Sequence, residues 1–375
     1  MRIAQIAPPW IPIPPKNYGG TESVISNLVE ELVAQGHDVT LFAPGDARTS
    51  AKLVSFFPTS LLGKKGDWSM HLKAFYHLQK SFEQVRAHKF DIVHTHLSSS
   101  TDLYLFPLSA SLTIPHVTTL HSNFPFDHHG PDDKAGDADR YYMDWASCVP
   151  LVAISESARD QEKLPLHFVD VVHNGIDMSQ FPPPGKKRDD YLVWLGRFVP
   201  EKGPHLAIEV AKRAQVPLVL AGTIDRYLKA SVAYFHEQIE PHIDNKQIKY
   251  IGPVNMKRKV SLLRRARAFL NPIEWEEPFG MVMVEAMALG CPVISFARGA
   301  APEIMENGKT GFLVQNLDEM VQSLPGIDEI NREETRLYVE RNFSARVMAE
   351  KYTQVYKKVI AMNKKASGQQ RSKIS

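Results

Sequence analysis

The stretch EWEEPFGMVMVEAMALG, residues 274–290, sets three glutamates ahead of a proline and a fourth, Glu285, inside an almost wholly apolar run. Glutamate is seldom buried without a partner, so a carboxylate among Val282, Met283, Val284, Ala286 and Met287 needs either a ligand or a solvent-facing side of the helix. A residue before proline is driven out of helical geometry, which assigns Glu277 to a loop. Pro278 then suits the first helical turn and Gly290 the far end. The amides of Phe279, Gly280 and Met281 would face that loop as an anion site. A continuous helical rise would set Glu277 and Glu285 roughly 12 Å apart, too far to share one proton or one metal. They are spaced to grip two parts of one long ligand with an anion between. A nucleoside diphosphate sugar has that layout: hydroxyl-rich sugar, diphosphate, hydroxyl-rich ribose.

Other candidates follow strand-like runs. Arg197 and Lys202 in LGRFVPEKG are two cations able to neutralise charge growing on a departing diphosphate, although solvated loop cations are the plainer reading of such a pair. Gly19 and Gly20 in YGGTE let the backbone approach a ligand closely, as an ordinary turn also would. His121 ends TTLH. His94 and His96 invite a metal reading, but no carboxylate or cysteine set lies near them in the sequence, so no metal is expected. His128 and His129 fall in a polar loop and are read as solvated.

The elements that must position these residues alternate. MRIAQIA, HDVTLFAP, FDIVHTHLS, PHVTTLHS and PLVAISES read as buried strands. TESVISNLVEELVAQG is a helix with Val24, Ile25, Leu28, Leu32 and Val33 on one face and a stop at Gly36. After VVHNGID the pattern restarts: YLVWLGR, PLVLAGT, IKYIG and AFLNP are strands, and GPHLAIEVAKRA and RKVSLLRRA are helices. The expected architecture is α/β, two Rossmann-like parallel-sheet domains. The first covers 1–176, a Pro-rich linker 177–190, the second domain 191–343, and a C-terminal helix with a fraying basic tail 344–375. Ligands of open parallel sheets bind at the carboxyl ends of the strands, so the expected site is the cleft between the domains.

Composition narrows the class. A chain of 375 residues is too long for one ordinary core, and a net charge of +2 gives no case for nucleic acid. Pro8 and Pro9 break the early apolar run, so it is not read as a signal peptide; two cysteines make no disulfide framework, and a cytoplasmic protein is expected. The basic helix KRKVSLLRRARAF admits contact with an anionic membrane surface, beside the simpler reading of a solvated face. Monomer and homodimer both remain open.

EEPFGMVMVE resembles the glutamate–seven residues–glutamate motif of the retaining glycosyltransferases of family 4, which have the GT-B fold. The resemblance spans nearly the whole chain. It implies that Glu277 meets the donor sugar's hydroxyls, that Glu285 holds the ribose, and that amides after Phe279 face sugar and phosphates. LGRFVPEKG is similar to the family's diphosphate-binding segment, with Arg197 and Lys202 as its cations, and YGGTE to a loop on the diphosphate and acceptor side. The family often has a histidine at the position of His121, near the donor sugar. Asn174 and Gly175 match the segment closing the first domain, and Glu303 one that shapes the donor pocket.

Transfer from a nucleotide sugar would then need no cofactor, and domain closure would exclude water. Uridine with glucose or N-acetylglucosamine is the expected donor, ahead of guanosine with mannose. The acceptor is a polysaccharide or lipid-linked intermediate, or a small molecule. APPWIPIPPKNYGGTE is similar to a subgroup with pterin glucosyltransferases and polysaccharide-building enzymes. The alternatives are a nucleotide-sugar 2-epimerase and a non-catalytic nucleotide-sugar-binding protein. A dehydrogenase is more distant, because G-x-G-x-x-G is missing.

Overall fold

Short apolar and β-branched runs become parallel strands, with each following amphipathic run folding back as a helix. The computed structural model describes residues 1–16, 19–62, 69–98, 102, 104–122, 137–162, 164–185, 187–225 and 228–372. Tyr18 of the YGGTE turn, and His128 and His129, lie outside the described residues. One unit comprises Met1–Gly175 with Ala345–Ser375, the other Ile176–Ser344.

The first unit holds β1 (Arg2–Ile6), β2 (Asp38–Phe42), β3 (Lys52–Val54), β4 (Ile92–Leu97), β5 (His116–Leu120), β6 (Leu151–Ala153) and β7 (Phe168–Val171). They form one parallel sheet in the order β3-β2-β1-β4-β5-β6-β7. The chain works outward from β1, then returns to add β4 on its other side. Connections leave in opposite directions between β1 and β4, which opens a crevice at the carboxyl ends of those strands. The helix Gly20–Ala34 buries Val24, Ile25, Leu28 and Leu32 as its periodicity requires, and Gly36 follows with φ 80°.

The second unit repeats the plan with β8 (Leu192–Arg197), β9 (Leu218–Thr223), β10 (Ile248–Tyr250), β11 (Ala268–Asn271), β12 (Val293–Phe296) and β13 (Gly311–Val314). Its parallel order is β10-β9-β8-β11-β12-β13, so the switch point lies between β8 and β11. Leu192, Trp194, Leu218, Leu220, Leu270 and Ile294 are buried in its core. Truncating one such leucine to alanine removes about 2–5 kcal/mol.

Three boundaries differ from expectation. The described residues of 177–190 belong to the second unit and are tied to it, instead of forming a separate linker: Phe181 is buried, its carbonyl accepts from Arg336, and the Pro183 carbonyl accepts from Arg264 at 2.6 Å. The last helix runs over Ala345–Ser372 and so takes in most of the basic tail. Lys, Ala, Gln and Arg are strong helix formers, and the lone Gly368 is not enough to stop them. The third concerns the helix after Glu277, which begins later than Pro278. Among the described residues no helix is long and apolar enough to cross a membrane.

Candidate functional site

In the second unit, Arg197 closes β8 and Lys202 ends the tight turn Pro200–Lys202. Gly203 follows in left-handed geometry with φ 63°, and a Cβ there would come within 1.9 Å of the Pro272 carbonyl oxygen. Only glycine lets the loop after β8 lie so close on the loop after β11. From the other side, a Cβ on Gly299 would sit 2.4 Å from the Glu277 nitrogen and 2.5 Å from its oxygen. The Ala300 amide donates to the Glu277 carbonyl at 3.0 Å, and the Gly299 amide to the Glu276 carboxylate at 2.6 Å. Two glycines therefore clamp Glu277 against the turn that carries Lys202.

The clamp makes a three-residue cluster. Lys202 Nζ is ion-paired with Glu277 Oε2, and Trp275 Nε1 donates to the same oxygen at 2.9 Å. The ammonium also lies 4.9 Å from the centre of the Trp275 ring, a cation–π contact of about 0.5–2 kcal/mol. The Lys202 and Glu277 side chains are 21% and 17% exposed, so both are sheltered yet still reachable from water.

Glu285 has its own cation. Lys259 Nζ, from the basic helix Met256–Arg265, donates to Glu285 Oε1 at 2.6 Å, and the carboxylate side chain is 13% exposed. The carboxylate therefore has a partner and does not lie on a bare solvent face. The helix that carries it spans Met281–Ala288, with Gly280 as N-cap at φ 92°. Pro278 lies ahead of the helix, not in its first turn, because the left-handed Gly280 turns the chain before the helix begins. The rise of a continuous helix thus cannot measure the Glu277–Glu285 separation. Each of the two carboxylates is paired with a different lysine. Phe279 is buried against Phe343, with ring centres 6.2 Å apart, and Met281 is half-buried as the first helical residue. Arg197 is exposed and has no side-chain partner among the described residues. Glu303 is half-buried in the first turn of the short helix Ala301–Ile304.

The rest of the basic helix and its flank is turned mainly to structural use. Arg265 binds Asp189, Arg267 binds Asp190 and Asp328, and the Arg264 guanidinium donates to the Pro183 carbonyl.

In the first unit the candidates lie at the start of the helix that follows β1 and just after β5. Gly19 caps the first helix with φ 157°, and Gly20 is its first residue. Two residues on, Glu22 is buried; burial, with a smaller contribution from the charge of Asp102, lifts its carboxyl to about 7. His121 follows β5, and its amide donates to the Leu97 carbonyl at 2.9 Å. Burial lowers its imidazole to about 3. His121 Nε2 lies 3.0 Å from His96 Nδ1, and the two rings stack with centres 5.3 Å apart. His96 Nε2 meets Gln5 Oε1 at 2.8 Å, and Gln5 Nε2 donates to the Tyr356 hydroxyl at 2.9 Å. The same hydroxyl lies 2.7 Å from His94 Nδ1, whose Nε2 meets Thr119 Oγ1 at 2.7 Å. Thr119 in turn meets Tyr352 at 2.7 Å. All four ring nitrogens of His94 and His96 are engaged by these partners.

The structure thus brings Lys202 to Glu277 and Lys259 to Glu285. The sequence alone had not indicated Lys259, Trp275, Glu22, Gln5, Tyr352 or Tyr356. Gln5 carried a signal, as a polar side chain in the middle of an otherwise apolar strand.

Residues 18–180 match the family described as Glycosyltransferase Family 4, and residues 177–334 that described as Glycosyl transferases group 1. The chain is 24% identical to spore coat protein SA of Bacillus subtilis (strain 168), over 96% of this chain and 100% of that one. It is 27% identical to alpha-maltose-1-phosphate synthase of Mycolicibacterium smegmatis, again over 96% and 100%. Its fold is similar to that of Anabaena HepE in complex with UDP-glucose, with a TM-score of 0.66 at 19% identity over 96% of this chain and 100% of the other.

Proposed function

Since the chain belongs to the group 1 glycosyl transferases of family 4, with the GT-B fold, we propose that it moves glucose or N-acetylglucosamine from a uridine diphosphate sugar to a hydroxyl acceptor, with retention at the anomeric carbon. That it is a glycosyltransferase follows from the family. The donor, the stereochemistry and the residue roles are our reading. Similarity of fold to HepE, which holds UDP-glucose, favours a uridine donor. Polysaccharides, lipid-linked intermediates and small hydroxylated molecules all suit a hydroxyl acceptor.

The observation that carries the proposal is the pair of lysine–glutamate contacts, with Lys202 after β8, Lys259 after β10 and both glutamates after β11. Each carboxylate can accept from a donor hydroxyl, and each is sheltered enough for such a hydrogen bond to count. When a diphosphate arrives, Lys202 is drawn toward it and Glu277 is released to accept from sugar hydroxyls. Glu285 accepts from the ribose in the same way, with Lys259 displaced or shared. Arg197, with no side-chain partner among the described residues, joins Lys202 in stabilising the negative charge that grows as the diphosphate leaves. Those two cations and the amides near Gly280 and Met281 supply the positive field, so we assign no metal to the step. For His121 we propose contact with a hydroxyl of the transferred sugar.

The test is a matrix of nucleotide sugars scored for nucleoside diphosphate release, with and without acceptors drawn from cell extract. Diphosphate release that depends on acceptor, with a product heavier by one hexose or N-acetylhexosamine, supports the proposal. Conversion of the sugar to its 2-epimer, or tight binding without turnover on any acceptor, overturns it.

A further inference from the structure

Polar side chains are rare in the middle of buried parallel strands, which ordinarily read as continuous apolar runs. Here β1, β4 and β5 carry Gln5, His94, His96 and Thr119, all fully buried. Gln5 pairs with His94, and His96 with Thr119, in adjacent registers. Alternation along a strand then keeps His94 and His96 on one face. The last helix, Ala345–Ser372, brings Tyr352 and Tyr356 into the same chain of hydrogen bonds.

Burial holds His94 and His96 well below their ordinary range and raises both tyrosines, so every member is neutral. A neutral imidazole carries one proton, and which nitrogen holds it follows from the neighbour. Gln5 Oε1 can only accept, so His96 must donate to it from Nε2, which leaves His96 Nδ1 bare. A bare Nδ1 can only accept, so His121 must donate to it from Nε2. His121 Nδ1 is then bare as well. On the other side, Gln5 Nε2 donates to the Tyr356 oxygen, which frees the Tyr356 proton for His94 Nδ1. His94 then donates from Nε2 to Thr119. The Gln5 amide is where the polarity of the whole chain is decided: were it turned over, every bond would reverse and His121 would carry its proton on Nδ1.

We propose that Gln5, anchored by Tyr356 of the last helix, is a positioning residue that fixes His121 through His96 as the Nε2–H tautomer. His121 thereby presents a hydrogen-bond acceptor, not a donor, to its ligand. The groups it serves are therefore hydroxyls, which can donate, in preference to phosphate oxygens, which cannot. The tautomer stands on the network alone; its effect on sugar transfer rests on the role proposed above for His121.

The experiment is two-bond proton–nitrogen correlation spectroscopy of the full chain labelled with nitrogen-15 histidine, with His121→Gln assigning the His121 signals. The expected wild-type pattern is a protonated Nε2 and a bare Nδ1 on both His96 and His121. Gln5→Met should scramble both patterns and lower kcat on UDP-glucose about tenfold, the scale of one lost hydrogen bond, with KM for the donor nearly unchanged. Gln5→Glu should restore both, because a buried, protonated carboxyl offers a hydroxyl to Tyr356 and a carbonyl to His96. Should Gln5→Met fail to fold, Tyr356→Phe keeps the ring but frees the amide to rotate, and should split the His121 signals between two tautomers. A wild-type His121 protonated at Nδ1, or tautomers unchanged in both Gln5→Met and Tyr356→Phe, overturns the proposal. Changed tautomers with unchanged turnover support the tautomer assignment and overturn the role given to His121 in transfer.

Discussion

The two units handle polar groups near their switch points in opposite ways. The second unit keeps full charges, Lys202 with Glu277 and Lys259 with Glu285, partly open to water. The first keeps neutral groups, Gln5, His94, His96, Tyr352 and Tyr356, shut away from it. An ion pair that water can still reach is held less firmly than a sealed one: solvent screens it in part, and an incoming charged ligand can exchange with either partner. A buried neutral network cannot exchange, because any group left alone there loses a hydrogen bond it cannot replace with water. One region is built to be interrupted by a ligand. The other is built to hold a fixed orientation.

That contrast can be broken by mutation and pH. The largest effect is expected in the second unit: Arg197→Ala or Lys202→Ala should slow transfer by about 10²–10³-fold, the scale of losing one donor to developing negative charge. Steady-state kinetics with the donor found in the matrix would measure it, and near-normal kcat in both would remove these residues from the site. Glu285→Ala should act mainly on donor affinity, seen as a raised Kd by calorimetry. Binding should also weaken as salt rises, whereas the tautomers of the first unit should not respond to salt.

Next comes pH. Glu22 has its carboxyl raised by burial, from 4.5 to about 7, so the folded state binds a proton that the unfolded state has lost over that interval. The contribution of Glu22 to stability therefore falls as pH rises from about 4.5 to about 7, by a total of about 3 kcal/mol, and stays low above it. Glu22→Gln should flatten that slope and raise Tm at pH 8; a Tm profile identical to wild type would refute the buried, protonated carboxyl.

The buried imidazoles have the opposite sign. His94, His96 and His121 are all depressed below 6.5, so below that pH the unfolded chain takes up protons that the folded chain refuses. Stability should drop by up to about 1.4 kcal/mol per pH unit for each histidine as pH falls below about 6.5. Denaturant titrations of the Glu22→Gln variant at pH 7, 6 and 5, free of the opposing carboxyl, would measure the slope, and its absence would mean that the imidazoles are not sealed. The smallest effect is expected at an exposed ion pair: Arg265→Ala, which releases Asp189, should change stability by no more than about 1 kcal/mol. A larger loss would show that exposure does not separate the loose pairs from the tight ones.

Much of this was legible in the chain itself, and the limits have physical causes. Periodicity located β1, the helix after it, β8 and its helix, because each is an unbroken amphipathic or apolar run between turn residues. Strands β12 and β13 were not picked out. VISF follows the apolar helix Met281–Ala288 after only a few residues, and GFLV is four residues long, so neither has room to show a period. That helix starts later than the sequence implies, because Pro278 fits a first turn by rule, while the backbone angle of Gly280 decides the matter and leaves no trace in composition. Glu277 and Glu285 stood out as charges in unusual company. Their cations did not: Lys202 is 75 residues from Glu277, and Lys259 sat within a basic run that looked like a surface. His94 and His96 were noticed as a pair, but their partners Gln5 and Tyr356 come from opposite ends of the chain, and no local pattern joins them.

The last helix gives that separation a temporal meaning. The chain begins the first unit, leaves it at Gly175, builds the whole second unit, and returns only at Ala345. During synthesis at about 5–20 residues per second, Gln5 and His94 are made early and wait for Tyr352 and Tyr356 until the second unit is already complete. For roughly 13–50 seconds at those rates the buried face of the first sheet lacks its cover, and the second unit, contiguous in sequence, is free to fold first. A released chain truncated just before Tyr352 should therefore carry a protease-resistant second unit and a first unit still open to cleavage.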